Sequence, residues 1–96
     1  GLNQFILSAT LIAKEAIRYT PAGVPIIECQ LEHAGSVEEA GLAREVRMRI
    51  EAMAMGSVHQ DLDRLALGQS AQWTGFLAHK SLRSQRLVFH ITNIAA

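Results

Sequence analysis

Lys80, Arg83 and Arg86 stand in the stretch KSLRSQR with no acid between them, and Arg44, Arg47 and Arg49 fall close together in LAREVRMRI. Clustered cations are the side chains that meet phosphate oxygens, and a guanidinium plane can also stack on a flat ring. For the strand arginines a plainer reading stands beside this one: Arg44, Arg47 and Arg49 form a solvated face paired with Glu45 and Glu51. For the loop trio the phosphate reading is favoured. A seventh cation, Arg18, lies just before the turn TPAG.

Other chemistry finds little support. His33 beside Glu32 has the makings of a base, but no GxSxG turn supplies a nucleophile, and Cys29 lies within an alternating segment where a buried, inert thiol is expected. His59 and Asp63 are four apart, yet two ligands do not make a metal site. There is no Walker loop and no cysteine cluster. Neither a metal nor a cofactor is expected, and an enzyme is not.

The elements that must hold these cations are those of a small protein. Ninety-six residues, 49% hydrophobic and 5% aromatic, fill one modest core, so residues 1–96 read as a single domain. The formal charge of zero averages unlike segments: Glu28, Glu32, Glu38 and Glu39 are the charges between positions 28 and 39, whereas the basic trio comes later. A phosphate-binding site needs a local basic patch and not a basic protein. No apolar run approaches the roughly 20 residues that span a bilayer, and GLNQFILSAT lacks the pattern of a signal peptide, so a cytoplasmic location is expected. The single cysteine excludes an internal disulfide.

Period two dominates the chain, which argues for strands. The first predicted strand is the apolar-rich run at 4–13. TPAG forms a hairpin tip, with Pro21 presetting φ and Gly23 free to adopt a positive one. Beyond Pro25, which has no N–H for a ladder, Ile27, Cys29 and Leu31 face one side of a second strand, and Glu28, Gln30 and Glu32 the other. HAGSVEEAG at 33–41, with two glycines and an acidic stretch, reads as a mobile loop. In the third strand Val46, Met48 and Ile50 alternate with Glu45, Arg47, Arg49 and Glu51. A short helix follows between Gly56 and Gly68, with Ser57 as N-cap and Gly68 as stop. The fourth strand carries Trp73 on the core side, and LVFHITNI makes the fifth.

The order βββ-α-ββ is that of the OB-fold, a mainly β, five-stranded Greek-key barrel with one short helix between strands 3 and 4. That fold binds oligonucleotides across strands 2 and 3 and the loops joining strands 1 to 2 and 4 to 5. TPAG and the basic loop at 80–86 are those two loops.

NQFILSATL, YTPAGVPIIECQLEH, SVEEAG and GFLAHK followed by LVFHI resemble the primosomal replication protein N (PriB) family, relatives of bacterial single-stranded DNA-binding protein, almost from end to end. The resemblance implies a homodimeric OB-fold protein that binds single-stranded DNA and assists PriA helicase, with DnaT in some bacteria, in replication restart. It places basic residues in the loop of Lys80, Arg83 and Arg86, and aromatic residues near positions 42 and 47, where this chain has Leu42 and Arg47. The first strand adds a physical argument for a dimer, since an uncharged apolar-rich edge invites pairing. A protein–protein adapter using the 33–41 loop or the barrel face, with residual nucleic-acid binding, is the competing expectation.

Overall fold

A computed structural model describes residues 1–96. Its elements are β1 (Phe5–Lys14), β2 (Arg18–Tyr19), β3 (Pro25–Glu39), β4 (Leu42–Met55), α1 (Val58–Arg64), β5 (Ser70–His79) and β6 (Leu87–Ala95). The two-residue β2 pairs only with Pro25 and Ile26 of β3. The other five strands close on themselves: β1 pairs with β5, β5 with β6, β6 with β4 in parallel, β4 with β3, and β3 back with β1. This is the OB barrel expected from the strand order, with its helix between β4 and β5 because β2 adds one to the count.

Alternation decides which side chains enter the barrel. Leu7, Ala9 and Leu11 of β1, Ile27, Cys29 and Leu31 of β3, Ala52 and Ala54 of β4, and Phe89 and Ile91 of β6 are buried together. Trp73 is fully buried and satisfies its indole N–H by donating to the Ala9 carbonyl at 3.0 Å. Phe5 meets Phe89 edge to face. Leu62 and Leu65, in and just after α1, complete this core. Lys14 anchors the helix end, donating to the carbonyls of Asp63 and Leu65. No helix is long and apolar enough to cross a membrane.

Three local expectations change. Residues 33–41 are not a mobile loop: β3 runs unbroken to Glu39 and pairs with β4 all the way to Leu42. Only Ala40 and Gly41 turn the chain, with φ of 53° and 78°, the two positive values of a type I′ hairpin. Gly35 fits this arm because the His33 ring lies across it, so that an added Cβ would sit 3.0 Å from Nε2. Ser57 stands at the N-cap of α1 but makes no side-chain capping bond. The helix ends at Arg64, a turn before Gly68, whose N–H instead donates to the Leu11 carbonyl at 2.7 Å.

Candidate nucleic-acid interface

The β3–β4 ladder sets out the cations by register. On the face turned away from the core, Glu32 stands opposite Arg49, Ala34 opposite Arg47, and Gln30 opposite Glu51. Arg49 reaches its neighbour and donates to the Glu32 carboxylate at 3.1 Å. Arg47 faces an alanine, so its guanidinium has no carboxylate to meet and stays exposed and unpaired. Glu28, farther along this face, pairs with Arg18 of β2 at 3.5 Å.

The loop between β5 and β6 closes over the same face. Lys80 N–H donates to the Arg86 carbonyl at 2.9 Å, Ser84 N–H to the Ser81 carbonyl at 3.2 Å, and Arg86 N–H to Ser84 Oγ at 3.1 Å, so the loop is a bonded turn. It carries Arg86 to Glu51, where the guanidinium makes a two-pronged contact with both carboxylate oxygens. A cavity of about 140 Å³ lies beneath, lined by Glu15, Glu28, Gln30, Glu51, Lys80 and Val88 among others. Lys80 and Arg83 have no ion-pair partner.

Six of the seven candidate cations are thus assigned to this side of the barrel by their elements: Arg47 and Arg49 on the outer face of β4, Arg18 on β2 reaching Glu28 of that face, and Lys80, Arg83 and Arg86 in the loop tied to it through Glu51. Arg44 does not join them. It is an odd number of residues from Arg47 and Arg49, so it projects from the opposite face, where it pairs with Glu39 at 2.6 Å. The pairings of the solvated-face reading do not form: Arg44 takes Glu39, Arg49 takes Glu32, Glu51 takes Arg86 from the loop, and Arg47 and Glu45 pair with neither neighbour.

Two features of this side of the barrel escape a reading by motif. Ile26, Met53 and Val88 form a second, small buried cluster separate from the barrel core. Phe76, partly exposed on β5, stacks parallel on His90 of β6 with centroids 4.9 Å apart. Burial lowers the His90 pKa below its ordinary 6.5. Strand parity is the one signal that separates Phe76 from the core-facing Leu77. Tyr19, beside the TPAG tip, is exposed. No group of three or more metal-ligating side chains comes together.

An OB barrel with cations gathered on its β3–β4 face and on the facing loop has the architecture of single-strand binders. The profile of the family described as "another single-strand binding protein family" matches residues 3–93. Replication restart protein PriB of Nitrosomonas europaea is 37% identical over 89 residues, covering 93% of this chain and 82% of that protein. The solved structure of PriB from Ralstonia solanacearum superposes with a TM-score of 0.91 at 45% identity, covering 98% of this chain and 96% of the other. Single-stranded DNA binding protein from Thermus aquaticus superposes at 0.75 with 28% identity, over 98% of this chain and 49% of that one. The chain belongs to the PriB family of single-strand binding proteins.

Proposed function

We propose that this protein binds single-stranded DNA on the outer face of β3–β4 and the 80–86 loop, as an accessory factor in cytoplasmic replication restart that assists PriA helicase, with DnaT where it is present. The observation that carries the DNA reading is that unpaired Arg47 projects from the outer β3–β4 face, while unpaired Lys80 and Arg83 belong to the loop tied to that face through Arg86 and Glu51. Membership of the PriB family supports the restart role. The partner assignments follow from the family resemblance.

A homodimer is part of the proposal. β1 pairs with β5 along Phe5–Thr10, but β3 joins its other edge only from Thr10 onward. The open stretch holds one contact, His33 Nδ1–H donating to the Ser8 carbonyl at 2.7 Å. An uncharged strand edge left free in this way is a pairing surface. Sedimentation at micromolar concentration tests it, and a monomer there removes this part.

The adapter reading keeps one specific support: Arg18, Arg44, Arg49 and Arg86 are each held by a carboxylate. Anisotropy of a labelled oligo-dT, titrated with salt, separates the two. Three unpaired cations meeting single-stranded phosphates predict a log–log salt slope of about −2. Reversing Lys80 and Arg83 to glutamate should abolish most of this binding. Absence of salt-sensitive binding in the wild type would overturn the DNA reading, and an unchanged capture of PriA by the double variant would then favour the adapter.

A further inference from the structure

We infer that Glu28, Glu32 and Glu51 act as built-in competitors for the DNA backbone, occupying the arginines of the binding face until phosphates displace them, and so set the affinity of the site. The inference rests on the DNA-binding reading above.

The three pairs share one face and one order of exposure, though not one contact geometry. Each carboxylate is rooted in β3 or β4 and partly covered, with side chains 29%, 28% and 35% exposed, while the partners Arg18, Arg49 and Arg86 lie above them at 53%, 70% and 62%. The cation is thus the outer member each time, held from below and open to an incoming phosphate from above. Exposed ion pairs of this kind contribute little to folding, so partner exchange costs little. Each pair also crosses between segments, joining β2 to β3, β3 to β4, and the loop to β4. The carboxylates therefore also orient the arginines across the face.

The competition has a thermodynamic signature that a purely structural role would lack. When an unpaired arginine meets a phosphate, the DNA releases a counterion. When a paired arginine does so, the freed glutamate attracts a cation from solution, and the net release is small. Converting Glu28, Glu32 or Glu51 to glutamine removes the competitor without shortening the side chain. Each substitution should tighten oligo-dT binding about two- to five-fold at low salt, from the strength of an exposed pair. It should also steepen the log–log salt slope by about 0.7, so that the triple variant approaches −4 against about −2 for the wild type.

Glu38→Gln is the control, since Glu38 lies on the same face of β3 opposite Ala43 and holds no arginine. Thermal melts establish that each variant is folded; if the triple variant is not, the single variants carry the test. Steeper slopes for the three substitutions and an unchanged slope for the control support the inference. Equal changes in Glu38→Gln would reduce it to net charge and overturn it, as would unchanged slopes throughout. Loss of salt-sensitive binding in the wild type itself would instead remove the DNA-binding reading.

Discussion

Gly75 is the position where one added carbon should do most harm. It sits at the β5–β6 bulge, is buried, and has no left-handed φ, so its backbone alone would accept alanine. Space forbids it: a Cβ there would lie 1.9 Å from the His90 carbonyl oxygen, and 2.8 Å from both its carbon and Phe89 Cε1. Real Cβ contacts essentially never fall below 3.0 Å, so β5 and β6 would have to part by about 1 Å. A ladder hydrogen bond does not survive such a displacement. Overpacking costs about 1–3 kcal/mol, and one or two lost ladder bonds add about 1 kcal/mol each. A domain of this size has a total stability of roughly 5–14 kcal/mol. Gly75→Ala should therefore lose about 3 kcal/mol, lowering Tm by roughly 12–24 °C in a circular-dichroism melt. Gly35→Ala is the internal comparison, because its new Cβ would meet only the His33 ring at the barrel surface. A Gly75→Ala protein that melts within about 3 °C of wild type would refute the steric argument.

Ala40 holds a φ of 53° at the first position of the β3–β4 turn, a conformation asparagine tolerates better; Ala40→Asn should stabilise by about 0.5–1 kcal/mol, read as a higher urea midpoint at unchanged m-value. Burial pushes the Cys29 thiol up to about 12, with the Lys14 charge acting the other way, so the native protein should resist a thiol reagent at pH 8 and react only when denatured. Fast labelling of the folded protein would contradict its placement in the core. Because the His90 pKa is lowered in the folded state, the unfolded chain takes up its proton first as pH falls. Stability from this group is complete above about pH 6.5 and is lost below it, down through the folded-state pKa. An NMR titration should place the His90 midpoint below 6.5, and His90→Gln should flatten that limb of the stability–pH curve.

The barrel was legible in the sequence because its strands are half buried, and burial imposes period two: Ile27, Cys29 and Leu31 announce an inward face without knowledge of any partner. The same reasoning failed at 33–41, where β3 leaves β1 and pairs only with β4. That arm is mostly exposed on both faces, so no apolar alternation marks it, and glycine with acidic residues imitates a loop. The proposed binding face divides along the same line. Parity assigned Arg47 and Arg49 to one side of a strand, and it equally implies that Arg44 lies on the other. Which carboxylate each arginine meets depends on register and loop closure, and period two constrains neither across strands that are distant in sequence. Glu51 illustrates this: its neighbours Arg47 and Arg49 lie within four residues, yet its partner is Arg86, brought 35 positions along the chain by the β5–β6 loop. A formal charge of zero is therefore compatible with a phosphate-binding face, because the neutrality is local and partly exchangeable. Three cations on that side are unpaired and three are held by carboxylates of β3 and β4, so if the proposed site is right, ionic strength and the three glutamates should govern its grip on a single strand more than net charge does.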